Sequence, residues 1–335
     1  AYCTVFLASA YSLLGAALTL TGESAEAVGA FLASSALETS RAKKAVEYSN
    51  ALFASNYLPI HLRGAYAGLA RGYGALYADV MPLSGRVDAA RGHDRIRIGY
   101  ISPDLRTHPV GMLVRPLLFD FDRTRFAVCC YMSGAEDELS ARFRAAADVW
   151  RNIQGMTAEE AAALVRGDEI DILVDLAGHT QHNSLPVLAG KPAPVQVTGI
   201  GYFNTTGLPA VDYMLSDVHV DPAGTADAAF TEEMIRLPHS HFCYTLPEGL
   251  PAVAPPPMER SGSVTFGSFN NFSKVTDEVL HLWHQVLDTV PGARLLVKSK
   301  LFDSAEGRAV ATERFTRCGI STERVEMRAF SRDYL

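Results

Sequence analysis

Apolar positions change their spacing along this chain, and the changes divide it. Through residue 92 they recur at three- and four-residue intervals among many alanines, which predicts helices. From Arg95 onward, short and nearly continuous apolar runs alternate with segments of helical spacing. Strands are predicted at 96–101, 126–132, 149–153, 170–176, 194–200, 213–216 and 234–237, and helices at 110–119, 137–147 and 158–166. Thr157-Ala-Glu-Glu160 has the form of a capping box for the last of these helices. The run 170–176 is almost wholly apolar, as expected of a strand covered on both faces inside a parallel sheet. Such alternation predicts a doubly wound α/β lobe.

Residues 247–258 hold five prolines and few side chains worth burying, and are expected to be a linker. A second α/β unit then opens, with strands at 264–268, 294–298 and 323–328 and helices at 277–289 and 305–318. It stops soon afterwards, so the second lobe is expected to be incomplete. The expected division is a helical segment at 1–92, a first lobe at 93–246, a Pro-rich linker at 247–261 and the start of a second lobe at 262–335.

Within the helical segment, Tyr11, Leu14, Gly15, Leu18, Ala27 and Phe31 fall at the offsets of a tetratricopeptide repeat, with Gly22-Glu23-Ser24 as the turn. Helices continue over 41–81, broken around 56–59, and polar residues 84–94 lead into the sheet. The first twenty residues carry no charge. Tyr2, Thr4, Ser9, Tyr11, Ser12 and Thr19 interrupt them, and no basic region precedes them, which argues against a signal or membrane anchor.

At 335 residues the chain is long enough for two α/β domains, or for one large domain plus an accessory part, and 48% hydrophobic with 20% charged residues is an ordinary well-cored composition. A net charge of -7 and the lack of any Lys/Arg block exclude a nucleic-acid footprint, so phosphate binding must rest on a few placed groups. The five cysteines show neither a CxxC pair nor zinc-site spacing, and free thiols in a reducing, cytoplasmic compartment are expected.

Three strand exits in the first lobe carry the chemistry. Asp104, Arg106 and His108 follow the first strand, with Pro109 behind them. In Asp175-Leu-Ala-Gly-His-Thr180, Gly178 permits a turn that delivers His179 and Thr180 outward. Gly199-Ile-Gly-Tyr-Phe-Asn-Thr-Thr-Gly207 can bring backbone N–H groups against a ligand. In a doubly wound sheet all three can face one crevice. In the second unit, Gly267-Ser-Phe-Asn-Asn-Phe-Ser-Lys274 joins a loop, a helix start and a lysine, a combination suited to a diphosphate. Plainer readings stand beside these. Asp104 can cap the helix that begins near Pro109. His108 and His179 can be satisfied structural groups, Thr205 and Thr206 can stabilise a turn, and Lys274 can be an exposed helix-start residue. His239, His241, His281 and His284 show no convergent acidic or cysteine partner in sequence and are read as structural.

The runs 97–109 and 175–180, Lys191-Pro-Ala-Pro-Val-Gln196, Gly201-Tyr202 with Thr205-Thr206-Gly207, Asp212-Tyr213, and Phe269-Asn270-Asn271 to Lys274 resemble, in order, the catalytic region of the O-linked N-acetylglucosamine transferase family. The likeness is greater to its bacterial and plant members. It implies a GT-B fold of two Rossmann-like lobes preceded by tetratricopeptide repeats. It implies inverting transfer of N-acetylglucosamine from UDP-N-acetylglucosamine to protein Ser/Thr hydroxyls, with no metal or other cofactor. Another sugar (fucose or glucose), an asparagine acceptor, or a non-catalytic peptide-binding module are the alternatives.

By that resemblance His108, Asp104 and Lys274 are catalytic. Asn271, Lys274, Pro109, Gly201, Tyr202, Thr205 and Thr206 bind the donor, and His179 and Thr180 border the acceptor. The partners implied are a peptide acceptor and the UDP-sugar, with protein contacts through the helical start and none with nucleic acid or membrane. Two departures stand out. The family's Trp-Leu-Gly-Tyr-Pro-Gly-Thr reads Gly199-Ile-Gly-Tyr-Phe-Asn-Thr205 here, and its later Gly-Thr-Thr phosphate loop and ribose-binding acid lie beyond the sequence given.

Overall fold

The computed structural model describes residues 2–58, 62, 64, 66–83, 92–224, 227–246 and 249–331. Pro59 of the predicted helix break, linker residues 84–91, Pro247 and Glu248 at the head of the Pro-rich segment, and Asp333-Tyr334-Leu335 lie outside them. Contacts group the chain into two units. One holds residues 39–53 and 64–246; the other holds 1–38, 54–63 and 247–335. The helical start is therefore shared between the units.

Four helices come first: α1 (Tyr2–Thr21), α2 (Ser24–Leu37), α3 (Arg41–Ser55) and α4 (Tyr66–Ala75). The central unit is built on a seven-stranded, all-parallel sheet. Its strands are β1 (Ile96–Ser102), β2 (Phe126–Met132), β3 (Val149–Asn152), β4 (Ile172–Asp175), β5 (Val195–Gly199), β6 (Tyr213–Asp217) and β7 (Glu233–Leu237), in the order β3-β2-β1-β4-β5-β6-β7. The order reverses between β1 and β4, and a crevice opens at the carboxyl edge of such a switch point. Registers keep the exits level: Ile101 pairs with Asp175, and Asp175 pairs with Thr198.

Successive strand residues point to opposite faces and fill two cores. Ile101, Cys129, Tyr131 and Leu173 pack with Leu52, Tyr66 and Tyr73 from the early helices and with α7 (Ala158–Gly167) and α8 (Leu185–Ala189). Tyr100, Val128, Cys130 and Met132 pack with α5 (Pro109–Phe119) and α6 (Glu138–Ala146). The capping box Thr157/Glu160 forms as predicted, and Asp137 with Ser140 forms another at α6. Helix α8 was not predicted; its few residues are too short to show a period. Burial pushes the Cys129 thiol up to about 11, as fits a core thiol rather than a nucleophile.

The second unit combines the α1–α2 hairpin with α9 (Met258–Ser261), β8 (Thr265–Ser268), α10 (Asp277–Thr289), β9 (Arg294–Lys298), α11 (Ala305–Arg317) and β10 (Val325–Arg328). Its parallel sheet runs β10-β9-β8 around Phe272, Val297, Phe302 and Phe315. The Pro-rich segment contains the short α9 and is not wholly irregular. In the hairpin Gly15 meets the Phe31 ring, 2.8 Å from where a Cβ would stand. Buried Arg314 donates to Thr21 O at 3.0 Å and Val275 O at 2.6 Å and pairs with Asp277 at 2.9 Å, tying the hairpin's turn to the α/β layers. Residues Cys3–Thr21 are long and apolar enough to cross a membrane, and Phe6 and Leu13 are exposed.

Candidate active site

At the β1 exit, the Asp104 amide donates to Ser102 Oγ at 3.0 Å, which folds the chain back at once. The Asp104 carboxylate is nearly buried. It lies 3.5 Å from the Arg106 guanidinium and 3.6 Å from His108 Nδ1. Helix α5 is capped by His108 and not by Asp104. The Val110 N–H donates to His108 Nδ1 at 3.3 Å, and Pro109, which has no N–H to satisfy, takes the first helical position. With Nδ1 accepting, the neutral ring carries its proton on Nε2. Burial lowers the His108 pKa below the ordinary histidine value; Asp104 works against this and Arg106 with it. The result is a half-exposed, neutral donor beside a carboxylate.

The β4 exit is pinned by Asp175, fully buried. It accepts from Ala177 N at 3.1 Å, Gly178 N at 2.8 Å and Thr198 Oγ1 at 2.8 Å. Burial raises its pKa, and these hydrogen bonds oppose the rise. Gly178 has φ 51°, and a Cβ there would lie 2.4 Å from Tyr202. His179 is corrected by the structure. Its ring is turned inward, 1% exposed; Nε2–H donates to Thr206 O at 2.9 Å, and Nδ1 lies 3.0 Å from Ser49 Oγ. Tyr73 and Tyr202 stand edge-on to it at 4.6 and 5.4 Å. Burial pushes its pKa down to about 4. Neither nitrogen is left for an acceptor. Thr180 is half-buried, and its hydroxyl has no partner among the described residues.

At the β5 exit Ile200 takes φ 69°, a left-handed conformation that a β-branched residue adopts only under strain. Gly201 follows, so close to β4 that a Cβ would lie 1.9 Å from Leu176 O and 3.1 Å from Val110. The exits of β4 and β5 and the start of α5 are thus in contact. The Tyr202 side chain turns inward. Its hydroxyl hydrogen-bonds that of Tyr66 and reaches Leu52 O at 3.4 Å, while Tyr66 donates to Thr205 O at 3.3 Å. Thr205 and Thr206, expected at the donor, are fully buried and hold the carboxylate of Glu232. Thr205 Oγ1 donates to it at 2.6 Å and Thr206 N at 2.8 Å, with the Thr206 hydroxyl also bonded. They anchor the loop and offer no hydroxyl to a ligand.

Sequence reasoning missed Glu232, whose partners are remote in the chain, and misread His241. That histidine does have an acidic partner: Asp217, at the end of β6, meets its Nδ1 at 2.6 Å and its backbone N at 3.0 Å. The His241 side chain heads the interactions that hold the Asp217 carboxyl far below the usual carboxylate range. His284 also has one, Asp288 at 3.4 Å. Lys191, Gln196 and Asp212 belong to the amino edge of the sheet. Lys191 Nζ pairs with Asp212 at 2.6 Å, and Asp212 accepts from Gln196 N at 2.8 Å, which ties the starts of β5 and β6. A cleft of about 550 Å³ lined by Arg71, Tyr77, Val80, Lys191, Leu208 and Pro209 holds none of Asp104, His108, His179, Gly201 or Tyr202.

In the second unit, Asn271 and Lys274 are exposed at the β8 exit. Asn271 Oδ1 accepts from Ser273 N at 3.4 Å, and the Lys274 ammonium has no ion-pair partner among the described residues. No three His, Cys, Asp or Glu side chains gather as a metal-binding group among the described residues.

The profile of glycosyl transferase family 41 matches residues 80–248, the stretch holding the whole parallel sheet and its three exits. The chain belongs to glycosyl transferase family 41. Its family-41 relatives include a probable UDP-N-acetylglucosamine–peptide N-acetylglucosaminyltransferase SPINDLY of Arabidopsis thaliana, 41% identical over 287 residues, covering 83% of this chain and 31% of that protein. A UDP-N-acetylglucosamine–peptide N-acetylglucosaminyltransferase of Caenorhabditis elegans is 32% identical over 151 residues, 44% of this chain and 13% of that one. A mutant of the Thermobaculum terrenum O-GlcNAc transferase superposes with a TM-score of 0.88 at 34% identity, covering 97% of this chain and 62% of that one. That likeness gives this family-41 chain the GT-B architecture. The chain spans about a third of the length of the SPINDLY relatives it matches.

Proposed function

We propose that this family-41 chain supplies part of the catalytic region of a protein glycosyltransferase that moves N-acetylglucosamine from UDP-N-acetylglucosamine to a serine or threonine hydroxyl of a cytoplasmic protein. The observation that carries the reading is the constellation at the sheet's switch point: Asp104 beside neutral His108, with the Gly201 loop packed on the start of α5. The relatives' names supply the donor and the peptide acceptor.

In this reading the acceptor oxygen attacks the anomeric carbon from the face opposite the diphosphate, which leaves as UDP with inversion. His108 Nε2–H donates to the donor's sugar or phosphate oxygens. Asp104, already flanked by Arg106 and His108, draws the proton from the acceptor hydroxyl, directly or through a water. Lys274 and the amides of the loop after β8 offset the charge growing on the leaving diphosphate, with Asn271 holding the donor from the same loop. That cationic, hydrogen-bonded environment is the proposed alternative to a metal. Pro109 and the Gly201–Tyr202 backbone wall the sugar, and Thr180 borders the acceptor. Thr205, Thr206 and His179 act indirectly, by fixing the loops that do touch substrate.

The test is sugar transfer by the full-length protein to peptide and protein acceptors, run in parallel with UDP-N-acetylglucosamine, UDP-glucose and GDP-fucose. Transfer from the first, lost in His108→Ala and Lys274→Ala proteins that remain folded, supports the reading. Transfer from either other donor alone reassigns the sugar. Peptide binding without turnover of any donor makes the chain a recognition module.

A further inference from the structure

We propose that Arg314 is a positioning residue for Lys274: its buried guanidinium ties the turn carrying that lysine to the end of α1, which makes the α1–α2 hairpin part of the diphosphate site. The inference rests on the transfer reading above, in which Lys274 offsets charge on the leaving group, and names what holds the lysine in place.

Lys274 ends a short 3-10 turn, Phe272–Lys274, between β8 and α10. The bonds inside it, Lys274 N to Asn271 O at 3.0 Å and Val275 N to Phe272 O at 2.9 Å, shape the turn without fixing it to a neighbour. Arg314 does the fixing. From α11, and only 4% exposed, it grips this segment at three places. Nη2 donates to Val275 O at 2.6 Å, directly after Lys274. Nη2 and Nε donate to Asp277 Oδ1 at 2.9 and 3.2 Å, and the guanidinium carbon lies 5.3 Å from the centre of the buried Phe272 ring. The remaining contact leaves the segment: Nη1 donates to Thr21 O at 3.0 Å. Thr21 is the last residue of α1, where the final carbonyls have no partner within the helix and its negative end favours a cation. Helix α1 also packs directly against the 3-10 turn and α11.

A lysine is a point charge on a flexible stem, so its value to a leaving group depends on where its backbone stands. The Lys274 ammonium has no ion-pair partner among the described residues, so the turn itself sets where that charge sits. A guanidinium holds five N–H donors in one rigid plane and can join several acceptors at once, which no other cationic side chain does. Through that plane a displacement of the hairpin's turn is passed to residues 272–277. The approach is close: a Cβ on Gly22, the residue after Thr21, would lie 2.5 Å from Nη1.

The experiment is a double-mutant cycle in the full-length protein. Arg314→Ala orphans two carbonyls and opens a void, so the working variant is Arg314→Lys, which keeps the charge and loses the fork. In protein that thermal melts show to be folded, it should lower kcat with UDP-N-acetylglucosamine roughly tenfold and leave acceptor KM unchanged, the scale of a displaced catalytic group. In a Lys274→Ala background it should lower kcat no further, whereas a merely structural role would multiply the two losses. Gly22→Ala, which crowds Nη1 from the hairpin side, should lower kcat roughly two- to fivefold with the same dependence on Lys274. Wild-type kcat in Arg314→Lys or in Gly22→Ala, or losses that multiply, overturns the proposal. If the wild type turns over no sugar nucleotide, the transfer reading fails, and hydrogen exchange decides the link. The Lys274 and Val275 amides should then exchange about tenfold faster in Arg314→Lys, and unchanged exchange there defeats it.

Discussion

Glu232 Oε1 accepts the backbone N–H of Thr206 at 2.8 Å and also that residue's hydroxyl, across 26 positions of chain. Both residues are buried, so the bonds are shielded from water and their loss leaves orphaned groups. Glu232→Ala is expected to lower the free energy of unfolding by about 3 kcal/mol, and Glu232→Gln by about half as much. Urea denaturation of both variants checks the order; equal stability of all three proteins would remove the carboxylate's anchoring role.

His179 makes stability pH-dependent in a defined window. Its native pKa is about 4, while an unfolded histidine titrates near its ordinary value of about 6.5. Between those values the unfolded chain binds a proton that the folded one refuses, so stability falls as pH drops from about 6.5 to about 4. The loss is on the order of 3 kcal/mol, and no further loss from this group follows below that range. In His179→Gln this part of the slope should vanish, even if the variant is less stable throughout. Thermal melts across the range measure it.

Capping and chemistry can be separated at His108. Asparagine is a good N-cap, so His108→Asn should leave the unfolding free energy within about 0.5 kcal/mol of wild type, whereas His108→Ala should cost about 1 kcal/mol. Both should reduce sugar transfer by roughly a hundredfold or more, the scale of losing one placed donor. Activity of His108→Asn close to wild type would reduce the residue to a cap.

Lys274 is exposed and contributes little to folding, so Lys274→Ala should melt like the wild type. Its kcat should fall by about two orders of magnitude, the loss expected when charge on a leaving group goes uncompensated. Retained kcat with a small rise in donor KM would mean that the lysine only attracts the nucleotide.

Gly201 has no room for a side chain. A methyl there would lie 1.9 Å from Leu176 O, so Gly201→Ala must push the β5 exit away from β4. The expected cost is about 1–3 kcal/mol, with a larger fractional loss of transfer than of stability because the displaced loop borders the site. Melting curves and transfer rates on one preparation test the pairing.

The alternation of β1 to β7 with helices was readable because parallel strands covered on both faces leave near-continuous apolar runs, and Thr157 with Glu160 announced its own helix. The strand exits were readable too, since a strand must run out somewhere and Asp104, His108, Gly178 and Gly201 follow the ends of β1, β4 and β5. Side-chain direction was not. Whether His179 looks outward or toward Ser49 depends on a helix 130 positions away, and whether Thr205 meets a sugar or Glu232 depends on a residue 27 positions on. Asp104 can be read from the sequence as a cap of α5 because aspartate is a common cap; Pro109 at the first helical position hands that place to His108, the residue just before it. Lys191 and Asp212 stood out as a pattern, but only the registers show that they brace the end of the sheet remote from the exits.

The link from Arg314 to the carbonyl of Thr21 has a consequence for how the chain is made. The α1–α2 hairpin emerges from the ribosome ahead of the sheet, yet its packing partner is synthesised nearly three hundred residues later. The sheet of β1 to β7 can be complete while the hairpin still waits with much of its greasy surface uncovered, a state that invites chaperones or self-association. Cutting the polypeptide for expression anywhere in the middle would strand the hairpin from its partner, so a soluble fragment is best sought by omitting both ends together.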